Sequence, residues 1–361
     1  MNKIKVMHVI TDLNFGGAGK YLYQICKHID KDKFEIRVVV PEGSVLNNII
    51  SSLPDIDVIE IKGIDTKSFD IMGVKEIYGL IKLYKPDIIH SHACLSARIA
   101  GLMAGNKKII YTRHSLLPKM KGVKRLGKIM LGRILPSKII AVSKAVEENL
   151  SDEGEKKENI FLVYNGVELP DIKQENLREK YLLKDDEIII SLIGRLEKVK
   201  GQENLLKIGE ILAKTERGFK ILLVGEGSQR PYLESYVRDK NLNVKFLGHI
   251  NEIDEIYDLS DIVVNTSNSE ALSFTVIEAF AHKKPVVAFN IDGIKEVVTD
   301  GEDGYLSDYL DYDDFASKLS ILMKNEDLRK QFGQRGYQKV KEKFTVEEMV
   351  RNIENIYGGM L

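Results

Sequence analysis

Ile262-Val263-Val264-Asn265-Thr266-Ser267-Asn268-Ser269-Glu270-Ala271-Leu272-Ser273-Phe274-Thr275-Val276-Ile277-Glu278-Ala279-Phe280-Ala281-His282 is the stretch on which the fold turns. A β-branched run leads into a polar connection, and from Phe274 apolar residues recur at helical spacing. Ser273 stands where an N-cap is expected. Glu270 then falls in the loop ahead of the helix, and Glu278 about one turn inside it. A helix start offers free N–H groups and a positive dipole end to an anion such as phosphate. Carboxylates accept hydrogen bonds from sugar hydroxyls, so the combination suits a nucleotide-sugar. Taken alone, the same acids also read as a surface Glu and a first-turn Glu favoured by the dipole.

Upstream, the strand-like Ile188–Ile193 ends in Gly194-Arg195-Leu196-Glu197-Lys198-Val199-Lys200-Gly201, with a helix pattern from Gln202. Arg195 offers a diphosphate a bidentate fork and Lys200 a compact charge, framed by glycines that permit backbone approach. Lys198 reads as an ordinary loop charge. Two further strands, 221–224 and 244–247, run into the small-residue turns Gly225-Glu226-Gly227 and Gly248-His249-Ile250. Backbone at Gly225 and Ile250 is suited to a base and ribose. Residues 285–289 give another strand, 300–304 a turn, and 313–323, 326–343 and 346–357 helices.

The first half shows the same alternation. Strand patterns recur at 4–10, 35–40, 58–61, 87–90, 108–112, 138–142 and 160–163, with helical patterns between several of them. Such alternation implies doubly wound α/β sheets, whose ligands bind beyond the carboxyl ends of the strands. The first strand ends in a glycine turn at Gly16-Gly17-Ala18-Gly19, which matches neither the dinucleotide fingerprint nor a Walker A loop. Later strand ends carry His90-Ser91-His92 and Arg113-His114. His90 and His92 have no third ligand at a recognisable spacing, so no metal is expected. His114 reads as a structural histidine or as a site residue.

Residues 106–144 hold eleven Lys or Arg and no acid. Between Lys119 and Arg133, the bases Lys119, Lys121, Lys124, Arg125 and Lys128 interleave with apolar residues, the pattern of a helix that lies on an anionic membrane or faces an acidic acceptor. Four or five bases at a headgroup surface contribute roughly 4–5 kcal/mol, enough for reversible attachment. RNA is disfavoured, because aromatic interleaving is poor.

The length of 361 residues suggests two domains, and 43% hydrophobic with 30% charged residues is ordinary for a globular chain. A net charge of −1 argues against a nucleic-acid binder, and the two cysteines have no metal or redox spacing. No membrane-spanning window or signal-peptide pattern is present, so the expected location is cytoplasmic, or peripheral at the inner face of the membrane.

In this order, Gly16-Gly17, His90-Ser-His92, Arg113-His114, Asn165-Gly166-Val167, Gly194-Arg195 with Lys200-Gly201, Gly225-Glu-Gly227, Phe246-Leu-Gly248-His249, Glu270-x7-Glu278 and Gly293-Ile-Lys-Glu296 with Asp300-Gly301 and Gly304 resemble the GT-B glycosyltransferases, specifically the retaining glycosyltransferase family 4. The resemblance covers essentially the whole chain. It implies two Rossmann-like doubly wound domains facing across a cleft: an acceptor-binding domain at 1–168, a nucleotide-sugar domain at 169–345, and a last helix at 346–361 crossing back to the first.

It further implies that Arg195 and Lys200 neutralise the departing diphosphate, that Glu278 holds the ribose, and that Glu270 holds the donor sugar. Backbone near Ser273, Phe274 and Thr275, and at Gly16 and Gly17, contacts sugar and phosphate, while His114 lies beside the reacting sugar. The implied reaction is metal-independent transfer of a hexose or N-acetylhexosamine from a nucleotide-diphosphate sugar, UDP favoured over GDP, to a lipid-linked or saccharide acceptor in cell-surface polysaccharide or glycolipid synthesis. A soluble small-molecule or protein acceptor, a nucleotide-sugar epimerase on the same fold, and a catalytically silent partner are the alternatives. Ala271 and Ser273 replace the glycines common in the family, which leaves the donor sugar open.

Overall fold

The structure is a computed structural model that describes residues 3–64, 68–118, 122–135, 137–171 and 177–361. The chain divides into two compact units, Met1–Gly166 together with Val346–Leu361, and Val167–Thr345. Val167 already belongs to the second unit, where it bridges to Thr345.

The first unit holds a parallel sheet of β1 (Ile4–Ile10), β2 (Phe34–Pro41), β3 (Ile56–Ile61), β4 (Ile88–His92), β5 (Ile109–Arg113), β6 (Lys138–Ala141) and β7 (Ile160–Leu162), in the order β3-β2-β1-β4-β5-β6-β7. The second holds β8 (Ile188–Ile193), β9 (Phe219–Val224), β10 (Val244–Gly248), β11 (Ile262–Asn265), β12 (Val286–Phe289) and β13 (Gly304–Ser307), in the order β10-β9-β8-β11-β12-β13. Helices connect successive strands of each sheet, apart from β12 and β13, because a parallel pairing needs a crossover. The central strands are apolar on both faces for the same reason: Val6, Met7, Val9 and Ile10 in β1, and Ile189 and Ile190 in β8, are all within 1% of fully buried.

Each order reverses beside its first strand, at β1/β4 and at β8/β11. That reversal opens a crevice at the strands' carboxyl ends and fixes where each unit can take a ligand. The expected strands and helices are present. β13 is the addition: it extends the turn at 300–304 and pairs with β12, and its apolar residues Tyr305 and Leu306 are too few to show a period.

The helix Val346–Gly358 belongs to the first unit. Its Glu354 accepts from Asp30 N at 2.8 Å, and Ile353 and Tyr357 are fully buried. Among the described residues no helix is long and apolar enough to cross a membrane.

Candidate functional site

In the second unit the loops after β8 and β11 meet at the switch point. Thr266 Oγ1 donates to Gly201 O at 2.8 Å, Asn268 N to Val199 O at 2.8 Å, and Asn268 Nδ2 to Lys198 O. Gly201 has φ +65°, and a Cβ there would stand 1.9 Å from Thr266 O, so only glycine lets the loops close. The closure brings Lys200 Nζ within 2.6 Å of Glu270 Oε1. Ser267 Oγ at 2.8 Å and Asn265 Nδ2 at 3.4 Å donate to the same oxygen.

Glu270 is 8% exposed, and among the described residues its Oε2 receives no donor. The carboxylate is therefore oriented, with one oxygen committed to the protein. Arg195, on the same loop as Lys200, is exposed, and its charge acts on the neighbouring Glu197. Gln202 ties down its backbone, donating to Arg195 O at 2.9 Å.

The helix Phe274–Ala281 begins at the same place, and Thr275 Oγ1 reaches Ile193 O at the end of β8. Ser273 holds the N-cap position, but its hydroxyl does not cap; it takes Asn265 Nδ2 at 3.2 Å. Ser273 thus holds the expected N-cap position, while the buried Asn265 amide claims its side-chain oxygen. Glu278, half-buried one turn in, accepts from Tyr257 Oη at 2.7 Å. Burial raises the Tyr257 pKa, which keeps that phenol a donor.

Gly293 N donates to Glu270 O at 3.1 Å, and a Cβ at Gly293 would stand 2.1 Å from Ala271 O. The loop after β12 thus braces the backbone through Ala271. Gly225 N donates to Gly248 O at 2.7 Å, which joins the ends of β9 and β10, and Ile250 is half-buried against the apolar cluster that includes Leu177, Leu222 and Ile256.

In the first unit, Gly16 precedes the helix Gly17–His28, and a Cβ at Gly16 would meet nothing within 4 Å. Its φ is −106°, so neither backbone nor packing requires glycine there; close approach of a ligand would. Tyr21 of this helix packs edge-on against His114, with centroids 4.9 Å apart. His114 follows β5 and is partly exposed, and burial of its ring pushes its pKa down to about 3. Arg113 beside it is not free: it pairs with the buried Glu153 at 2.6 Å, so it leaves the basic surface.

Behind His114 lies a histidine cluster that sequence reading only half found. His92 Nδ1 is 3.1 Å from His114 Nε2, and His92 Nε2 is 3.0 Å from His8 Nδ1. His90 Nδ1 is 2.6 Å from Tyr357 Oη, and its Nε2 is 2.7 Å from Thr112 Oγ1. His8, paired with His90 in the β1/β4 register, supplies the third nitrogen donor that the spacing did not reveal. Donor atoms of His8, His90 and His92 lie within 4.8 Å of one another, a set that could hold a metal ion. All six of their nitrogens already sit within hydrogen-bond distance of a neighbour, so an ion would have to displace this network.

The basic helix spans Gly122–Ile134. Leu126, Met130 and Ile134, spaced four apart, are each more than half exposed, while Ile129 packs towards Gly154. Lys119 and Lys121 lie outside the described residues, as do the side chains of Lys124, Arg125 and Lys128.

Comparison with known proteins bears on both units. The family model described as Glycosyltransferase Family 4 matches residues 15–170, and that described as Glycosyl transferases group 1 matches 173–339. A capsular polysaccharide biosynthesis glycosyltransferase of Staphylococcus aureus is 25% identical over all of this chain and 98% of its own. The N-acetyl-alpha-D-glucosaminyl L-malate synthase of Bacillus anthracis is 28% identical over 76% of this chain and 75% of its own. Among solved structures, Anabaena HepE in complex with UDP-glucose shares the fold, with a TM-score of 0.87 at 20% identity over 99% of this chain and all of that one.

Proposed function

We propose, for a chain that is a GT-B glycosyltransferase related to the family 4 and group 1 enzymes, that it moves a hexose or N-acetylhexosamine from a UDP-sugar to a saccharide or lipid-linked acceptor, with retention and without a metal. The observation that carries the reading is the Lys200–Glu270 pair at the β8/β11 switch point, in loops that also carry the exposed Arg195 and lead into the helix Phe274–Ala281. As the bond from sugar C1 to phosphate oxygen breaks, negative charge grows on the diphosphate. Arg195, Lys200 and the helix N–H groups stabilise it where it forms. The acceptor oxygen bonds to C1 on the same face, and its proton passes to the departing phosphate oxygen.

Glu270 is a poor nucleophile, because three donors already hold Oε1; Oε2 is the oxygen left for a sugar hydroxyl. Glu278 takes the ribose. In the first unit, His114 and the glycine turn are the residues proposed to contact the sugar. UDP is favoured because a protein of the same fold holds UDP-glucose.

A thermal-shift panel of uridine-, guanosine- and adenosine-diphosphate sugars tests the donor, since ligand at ~100 times its dissociation constant adds ~2.7 kcal/mol. Incubation with donor and no acceptor tests the epimerase alternative; efficient sugar interconversion would sink the transferase reading.

The capsular relative and the exposed stripe Leu126, Met130 and Ile134 on the basic helix support an acceptor at a membrane surface. The malate-named relative supports the second reading, a soluble acceptor. Co-sedimentation with anionic vesicles at low salt separates them: no binding would count for the soluble acceptor.

A further inference from the structure

The strand register puts His8, His90, His92 and Thr112 on one face of the sheet, because paired residues share a side and side chains alternate. His114, two residues beyond Thr112, continues that face, and Tyr357 of the terminal helix closes over it. The contacts form one unbranched series: Thr112 Oγ1 to His90, His90 to Tyr357 Oη, Tyr357 Oη to His8 Nε2 at 3.4 Å, His8 to His92, and His92 to His114.

A neutral imidazole has one donor and one acceptor nitrogen, and a hydroxyl one proton. Such a series can run only in two directions, and its inner end chooses between them. Thr112 is fully buried, and its hydroxyl lies 2.7 Å from His90 Nε2 with the buried Tyr21 hydroxyl as its other neighbour. The Tyr21 hydroxyl makes no other hydrogen bond among the described residues, so Thr112 Oγ1 is the acceptor its buried proton can reach. If Tyr21 donates to Thr112 and Thr112 into the series, every buried proton is placed; in the reverse direction Thr112 would donate to Tyr21 Oη and the Tyr21 proton would be left unsatisfied.

We propose that Thr112, His90, Tyr357, His8 and His92 form a directional relay that fixes His114 as its Nδ1–H tautomer, presenting a donor at the end of β5, with Tyr357 the positioning residue that joins the two halves. In this direction Thr112 donates to His90 Nε2, His90 Nδ1–H to Tyr357, Tyr357 to His8 Nε2, His8 Nδ1–H to His92 Nε2, and His92 Nδ1–H to His114 Nε2. Nδ1–H of His114 is left over, with no partner among the described residues. A donor there binds a sugar oxygen; it does not act as a general base. The kinetic consequence rests on the placement of His114 beside the reacting sugar proposed above, whereas the tautomer does not.

The test is long-range proton–nitrogen correlation NMR on full-length protein labelled with 15N-histidine, at neutral pH. The expected spectrum shows His114 as the Nδ1–H tautomer. Tyr357→Phe and Thr112→Val, both near-isosteric, should turn it into a mixture of tautomers. Each should lower kcat by about three- to tenfold, the worth of one neutral hydrogen bond, with the KM for the nucleotide-sugar unchanged. An Nε2–H tautomer in the unmodified protein overturns the relay whether or not either variant folds, and so does an unaltered His114 signal in both variants. Released tautomers with an unchanged kcat would keep the relay and remove His114 from the reaction, leaving the donor site of the second unit untouched.

Discussion

Lys200 and Glu270 show how a site is assembled from residues that are remote in sequence. Each is an ordinary loop charge in its own segment, and it is the order of the motifs that proposes both for the donor site. Their 2.6 Å contact is not written in either segment, because it follows from β8 and β11 being neighbours and from a glycine that lets the loops touch. Lys200→Ala leaves a carboxylate that is 8% exposed without its cation. We expect the second unit to lose about 1–3 kcal/mol of stability, read by chemical denaturation. UDP-sugar affinity should fall by one to two decades, read by titration calorimetry, from loss of a charge-assisted bond worth ~1.5–3 kcal/mol. An undiminished affinity would remove Lys200 from the diphosphate site. Glu278→Ala should abolish most turnover while the fold survives, and normal kinetics would return Glu278 to an ordinary helix acid. His8 was illegible for a related reason: nothing in Met7-His8-Val9 marks a histidine whose partners stand on β4 and in the last helix. The signal that could have found it is parity, since His8, His90 and His92 all sit where their strands face the same side.

At the scale of elements, legibility follows length and period. Long amphipathic helices and β-branched strands announce themselves, whereas β13, four residues after a turn, carries too few apolar positions to do so. The basic helix Gly122–Ile134 was legible as amphipathic, but the sequence could not divide its apolar residues between a face that packs and one that does not. The structure makes that division: Ile129 turns in towards Gly154, and Leu126, Met130 and Ile134 stay exposed. It also withdraws Arg113 from the basic surface by pairing it with Glu153. Leu126→Glu or Met130→Glu should therefore weaken binding to anionic vesicles by about tenfold or more, since burying such a side chain is worth ~1.5–3 kcal/mol and an added carboxylate is repelled. UDP-sugar affinity of the variants should not change. Unaltered vesicle binding would show that this stripe does not meet the membrane.

At the scale of the whole chain, two units with the same sheet order carry opposite histidine chemistry, and their stabilities should respond to pH in opposite directions. In the first unit burial pushes His8 down to about 3, helped by the nearby Lys31, and it does the same to His114; His90 and His92 are also held well below the usual range, chiefly by burial. These rings bind protons in the unfolded chain below a pKa of about 6.5 but not in the folded one. Their contribution is thus lost as pH falls below about 6.5, at up to about 1.4 kcal/mol per pH unit for each ring. In the second unit burial also opposes charge on His282, but Asp254 and Asp258 outweigh it, with Asp258 at 2.7 Å, and its pKa is raised. A raised folded pKa contributes stability that is fully present below about 6.5 and lost as pH rises through the folded value. Hydrogen exchange resolves the two, because it reads opening free energies strand by strand. Between about pH 7.5 and about pH 5, above most carboxylate titrations, amides of β1 and β4 should lose protection as pH falls while those of β8 and β11 hold or gain it. His282→Asn should flatten the response of the second unit and leave that of the first unchanged. A parallel loss of protection in both units would mean that the buried histidines do not set the acid response of this fold.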